Sequence, residues 1–205
     1  MTKLTVIQKE ALKEILKVKV LNDFYLAGGT AISIKYSHRY SEDFDFFLKP
    51  EVKIDFFSLL SKIKPEKVLT LREDTLIILF RKIKFSFFYY PYPLIENLLP
   101  VAGLGIQIAS DCDISAMKSI AIIQRGEKKD FFDLWFLMEK NKWKISDIIS
   151  FSLRKFKTVF NPSLFVKAIV YYDDAENQKI PDMENKWDEV KAFFEEEVLK
   201  YLGKL

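Results

Sequence analysis

Apolar residues recur at helical spacing through Ile7, Ala11, Leu12, Ile15 and Leu16. Thr5-Val6-Ile7-Gln8 has capping-box spacing, so the pattern predicts a first helix from about Val6 to Lys19. Phe24 to Ala27 is a short apolar run stopped by Gly28-Gly29, as expected of a buried strand. Thr30 to Tyr36 follows as a short helix and Asp43 to Leu48 as a second strand, ended by Pro50. Ile54 to Ile63 reads as a helix. Val68–Leu71, Thr75–Phe80 and Lys84–Tyr90 read as strands, the last two as a hairpin, and Gly105–Ala109 as another strand. From Asp111 onward the pattern is helical. Helices are expected over Asp113–Arg125, closed by Gly126, over Asp130–Lys140, over Asp147–Lys157 behind a Ser146 cap, and after Asn161-Pro162. Trp187, Val190, Phe194, Val198 and Tyr201 line one face of a final helix.

The pattern therefore predicts an α+β chain. Residues 1–109 form a mixed sheet with flanking helices, and residues 110–205 form a helical region. No linker separates them, which predicts that the halves pack tightly. With 205 residues, 49% of them apolar and 15% aromatic, the chain has material for an ordinary core and is not a disordered sequence.

Charge and cysteine narrow the function classes. A net charge of +3 is too small to argue nucleic-acid binding from totals. Lys and Arg are dense between Lys118 and Lys144 and at Arg154, Lys155 and Lys157, which fits a basic binding surface or ordinary solvated helix faces. The single cysteine, Cys112, excludes an internal disulfide and reads as a small buried apolar residue. A charged N-terminus and the lack of a long apolar run predict a cytoplasmic protein outside the membrane. His38 is the only histidine, so neither a histidine metal cluster nor a Ser-His-Asp triad is available.

The chemistry concentrates in one stretch. On a strand, Asp43 and Asp45 share a face while Phe44 and Phe46 share the other. Two carboxylates that close raise each other's pKa unless a cation lies between them, and Mg²⁺, with substrate phosphates completing its shell, is the natural one. A strand, then Gly28-Gly29-Thr30, then a helix gathers backbone N–H groups at one point, a geometry suited to phosphate oxygens. Either element alone is commonplace, as ordinary turns and exposed edge carboxylates. Arg39, just before the aspartates, could pair with them or with phosphate. Tyr89, Tyr90 and Tyr92 could stack a base or simply line the end of the sheet.

Gly28-Gly29-Thr30-Ala31, followed by His38-Arg39 and by Ser41-Glu42-Asp43-Phe44-Asp45-Phe46-Phe47, resembles the signature of the AbiEii nucleotidyltransferase toxin family, within the DNA polymerase β-like superfamily. A second block agrees: Asp113 to Lys118, then Arg125-Gly126, Lys129-Asp130 and Asp133-Leu134. The motifs cover about residues 24 to 137, and the resemblance implies a nucleotidyltransferase fold, a small mixed sheet with flanking helices followed by a helical region. It implies that Asp43 and Asp45 bind Mg²⁺. Gly28, Gly29 and Thr30, with Arg39, Ser41 and Arg125, would serve the nucleotide. Lys118 would contact phosphate from a cleft, and Asp130 and Asp133 would complete the catalytic set. The same block also fits a salt-bridged helix pair that only builds the fold, since Asp130 and Asp133 share a helix face.

One departure matters. In many members of the superfamily a third carboxylate sits on a neighbouring strand, and Ser86 is its counterpart here. Asp130 or Asp133 are the substitutes to consider, and Glu73 and Asp74 read as turn residues. Three functions follow as expectations. The first is transfer of a nucleoside monophosphate from an NTP to an acceptor hydroxyl of RNA or protein, by a toxin with a cognate antitoxin. The second is a non-catalytic nucleotide-binding module. The third is transfer of the γ-phosphate.

Overall fold

A computed structural model describes residues 4–180 and 183–203. In chain order, α1 (Val6–Ile15) is closed at its start by a true capping box between Thr5 and Gln8. A 3-10 turn at Lys19–Asp23 leads into β1 (Phe24–Ala27) and α2 (Gly28–Tyr36). Then come β2 (Phe44–Leu48), α3 (Phe56–Ile63), β3 (Lys67–Leu71), β4 (Thr75–Phe80), β5 (Ile83–Phe88), β6 (Leu99–Val101) and β7 (Ile106–Ile108). The helical part comprises α4 (Asp111–Gln124), α5 (Lys128–Asn141), α6 (Ile145–Phe156), α7 (Pro162–Ala168), α8 (Asp173–Glu176) and α9 (Trp187–Leu202). The chain divides into two compact units after Ser110. Among the described residues, no helix is long and apolar enough to cross a membrane.

In the first unit the strands form one mixed sheet in the order β3-β4-β5-β2-β1-β7-β6. β2 lies inside the sheet, antiparallel to β1 and parallel to β5. Its alternation decides the layering. Phe44, Phe46 and Leu48 are buried, and Asp45 and Phe47 take the other face. Phe44 stacks on Phe85 at 5.0 Å and Phe46 on Phe87 at 5.5 Å, a cross-strand aromatic ladder. Phe24 closes it edge-on, 5.4 Å from Phe87 and 6.4 Å from Phe56 of α3. On the opposite face Phe47 meets Tyr25, Phe88 and Tyr90, and Tyr90 meets Tyr92. These tyrosines pack against the sheet end.

Several boundaries differ from the pattern. α1 ends at Ile15, four residues early, because the β-branched Val18 is extended (ψ 100°) where the chain turns toward β1. α2 begins at Gly28, two residues early. The β4–β5 turn uses Arg81 and Lys82, both at positive φ, where asparagine and glycine are usual. β6 has no counterpart in the pattern, since Pro100 in its centre reads as a breaker. It is tolerated because β6 is an edge strand.

In the second unit Gly126, at φ +54°, takes the left-handed position between α4 and α5, as its place in the sequence predicts. Ser146 does not cap α6. The helix starts at Ile145, and Asp147 accepts the Lys144 N–H at 2.8 Å. Asn161 does cap α7, with Pro162 at the first position. Phe131 of α5 anchors the core against Tyr172, Trp187 and Phe194. Lys118, Lys128 and Lys155 are buried, which removes three cations from the basic surface suggested by the distribution of charge.

Truncating the aromatic ladder is the sharpest test of this packing. Phe46→Ala is expected to cost about 3–5 kcal/mol in urea denaturation, with the unfolding slope unchanged.

Candidate active site

β1 and β2 deliver the two signature segments to one place. Ala27, the last residue of β1, is the register partner of Asp45. The chain then turns at Gly28, φ +70°, and enters α2. A methyl group at Gly28 would lie 3.3 Å from Asp45 Oδ2, so the backbone passes directly against the carboxylate. Gly28 is needed twice, for its left-handed φ and for the missing side chain. The N-cap residue of α2, Ala27, has no side chain able to cap it. The first N–H groups of α2 have no partner within the helix, and that end carries partial positive charge.

The segment between α2 and β2 is pinned from both sides. Gln8 Nε2 donates to the carbonyls of Ser41 and Glu42 at 2.7 and 3.1 Å. Ser33 Oγ donates to the Arg39 carbonyl at 2.8 Å. The buried Thr30 hydroxyl bonds the Asp43 carbonyl oxygen and lies 2.7 Å from Ser41 Oγ. Thr30 and Ser41 therefore fix the backbone at Asp43. Thr30 does not present its hydroxyl outward as a phosphate ligand. The Arg39 guanidinium, also buried, donates to the Tyr40 carbonyl at 2.9 Å. Gln8 was invisible as a site residue, because in sequence it is only half of a capping box.

β5 supplies the third side of the site. Ser86 is the parallel register partner of Asp45, so it occupies the neighbouring-strand position directly. Two residues earlier on the same face, Lys84 Nζ forms an ion pair with Asp43 Oδ2. Sequence reasoning missed Lys84. Its only signal was strand alternation, which puts residues 84 and 86 on one face.

Asp43, one residue before β2, and Asp45 on it are the carboxylates that could hold one Mg²⁺, which commonly takes one or two carboxylates and completes its shell with water and phosphate. The Lys84 ammonium on Asp43 shows that a cation reaches this carboxylate. Among the described residues no cluster of three acidic, histidine or cysteine ligands exists, so a metal here would depend on non-protein ligands.

The second sequence block forms an ion-pair cluster between α4 and α5. Lys118 Nζ lies 2.8 Å from Asp130 Oδ1 and 2.7 Å from Asp133 Oδ2. Arg125 grips Asp130 with two hydrogen bonds of 2.8 and 3.0 Å. Both aspartates are fully buried. Burial pushes the Asp130 carboxyl up, but Lys118 and Arg125 outweigh it and hold its pKa below the usual value. So held, Asp130 is a weak base, and Asp133 is tied to the same lysine. A second buried pair, Lys155 with Asp113 at 2.6 Å, joins α6 to α4, and burial draws the Lys155 pKa down against the pull of Asp113.

The family described as nucleotidyl transferase AbiEii toxin, type IV toxin–antitoxin system, matches residues 10–201. The chain belongs to the AbiEii nucleotidyltransferase toxin family. It is 47% identical to an Aquifex aeolicus protein described as uncharacterized protein aq_aa25, over 98% of this chain and 99% of that one. Two solved structures share the fold. MenT4, the nucleotidyltransferase toxin Rv2826c of Mycobacterium tuberculosis, is 15% identical with a TM-score of 0.59, covering 93% of this chain and 82% of its own. JHP933 of Helicobacter pylori is 17% identical with a TM-score of 0.51, covering 98% and 95%. The AbiEii fold expected from the motifs is thus the fold observed, and the match runs well beyond the two motif blocks.

Two substitutions probe the local physics. Gly28→Ala is expected to cost about 1–2 kcal/mol from its backbone conformation alone, read as a lowered melting temperature. Asp130→Asn is expected to cost about 3–5 kcal/mol at neutral pH by leaving buried cations undercompensated. Because the folded-state pKa of Asp130 is lowered, its contribution is complete above the ordinary value of 3.8 and is lost as pH falls through the lower folded value. The gap between wild type and variant in urea midpoints should therefore hold from neutral pH down to 3.8 and close only below it.

Proposed function

We propose that this protein is a Mg²⁺-dependent nucleotidyltransferase that moves a nucleoside monophosphate from an NTP to an acceptor hydroxyl on RNA or protein. One observation carries the reading: the Asp45 carboxylate lies against Gly28 at the N-terminus of α2. A helix N-terminus suits a phosphate, and a carboxylate at the same point repels it. The two are compatible when a divalent cation lies between them, and Asp43, just before β2, supplies the second ligand. Bound there, Mg²⁺ would neutralise phosphate charge and orient the triphosphate.

In this reading Gly28 and Gly29 present backbone N–H groups to phosphate oxygens. Thr30, Ser41 and Gln8 hold the Asp43 backbone in place. The acceptor oxygen forms a bond to the α-phosphorus, the bond to the pyrophosphate oxygen breaks, and the acceptor proton passes to water. Lys118, Asp130 and Asp133 enter only through the family resemblance, as a cluster within the second unit in which the two aspartates hold the ammonium. Family membership also supports a toxin neutralised by a cognate antitoxin.

Ser86 favours a second reading. A serine beside Asp45 cannot act as a carboxylate base, which suits a nucleotide-binding module without transfer. Product analysis separates the alternatives, since nucleotidyl transfer releases pyrophosphate and γ-phosphate transfer leaves a nucleoside diphosphate.

Incubation with each α-³²P-labelled NTP, Mg²⁺, and total RNA and protein is expected to label one acceptor class. Asp45→Asn should lose at least about a hundredfold of that rate while remaining folded. An undiminished rate in the variant would remove Asp45 from metal binding.

A further inference from the structure

We infer that Lys84 is a resident cation of the acid pair, filling by its ammonium the charge position that a third carboxylate would give to a second metal ion. This rests on the reading of Asp43 and Asp45 as metal ligands. Two-metal sites need enough carboxylate charge to hold two dications a few ångströms apart. Here the position next to Asp45 is Ser86, and two carboxylates balance only one divalent ion. Lys84 stands two residues before Ser86 on the same strand and face, with Nζ on Asp43 Oδ2.

The pair is open enough to exchange. The Lys84 side chain is 42% exposed and that of Asp43 34%. An exposed ion pair of this kind contributes little to folding, so stability does not explain its presence. Its effect falls on ligands instead. In the nucleotide-free protein the ammonium competes with an incoming dication for Asp43. Lys84 is anchored on β5 beside Asp43, so its ammonium would stay within side-chain reach of the acid pair if a metal ion displaced it. There it can neutralise a phosphate oxygen without a second metal. The inference makes the site a one-metal site with a built-in competitor.

Mn²⁺, followed by electron paramagnetic resonance on the full chain, tests this directly. Lys84→Met removes the charge and keeps much of the side-chain volume. It is expected to bind Mn²⁺ about tenfold more tightly than wild type without nucleotide, as relief of repulsion between nearby like charges predicts. Lys84→Arg, which keeps the charge, should stay near wild type. With a nonhydrolysable triphosphate analogue, wild type should show one isolated Mn²⁺, and Ser86→Asp combined with Lys84→Met should show two coupled ions. An unchanged affinity in Lys84→Met, or Mn–Mn coupling in wild type, would overturn the inference while leaving the acid pair as metal ligands. Wild-type Mn²⁺ binding that is absent, or is unaffected by Asp45→Asn, would instead overturn the metal reading on which it depends.

Discussion

A carboxylate in the middle of a sheet is the constraint on which the rest of the first unit depends. Asp45 sits on an internal strand between Ala27 and Ser86, one residue from side chains that are fully buried. Asp45 itself is half-buried, so an ionised carboxylate there is better off with a partner. The sheet meets the demand by dividing β2 strictly by face. The aromatic ladder of Phe44, Phe46, Phe85 and Phe87 takes one side and fixes the register. A one-residue slip would bury both aspartates and expose the ladder. The precision of the acid pair is therefore set by hydrophobic packing on the side away from it.

The backbone around the pair is positioned by groups with no chemistry of their own. Gln8, Thr30, Ser33 and Ser41 all bond to, or lie beside, the segment from Arg39 to Asp43. Gly28 keeps the α2 terminus against Asp45. In the second unit the same economy of roles appears in reverse. Lys118, Asp130, Asp133 and Arg125 form a single cluster in which all but Arg125 are buried. Buried ion pairs give weak net stability but are costly to break from one side. The cluster fixes where the Lys118 ammonium lies, whatever it later contacts.

The legible parts of the sequence were those governed by local rules. Strand alternation from Phe44 to Leu48, the glycine stop after β1 and the position of Gly126 each depend on residues within a few places of one another, and the structure follows them, although the expected start of the strand at Asp43 falls one residue outside it. Pairing across the sheet was not legible. Nothing near Lys84 in sequence says that its ammonium reaches Asp43, because that contact arises from β5 lying parallel beside β2, through an intervening helix and two strands. Lys155 shows the same limit: it read as part of a basic run, and only the approach of α6 to α4 brings it to Asp113. β6 failed for a different reason, since a proline in a three-residue strand is acceptable only once the strand is known to be an edge. The inward turn of Thr30 was not legible either: a hydroxyl beside glycines suggests phosphate, whereas the loop fold brings it to the Asp43 carbonyl.

The most direct measurement is paramagnetic broadening of backbone amide signals by Mn²⁺ in complex with a nonhydrolysable NTP analogue. If the acid pair and the glycine turn form one metal–nucleotide site, the amides of Gly28, Gly29, Asp45 and Ser86 should disappear first and together. Asp45→Asn should abolish the effect. Broadening centred elsewhere, or broadening at Asp45 that spares Gly28 and Gly29, would contradict the site.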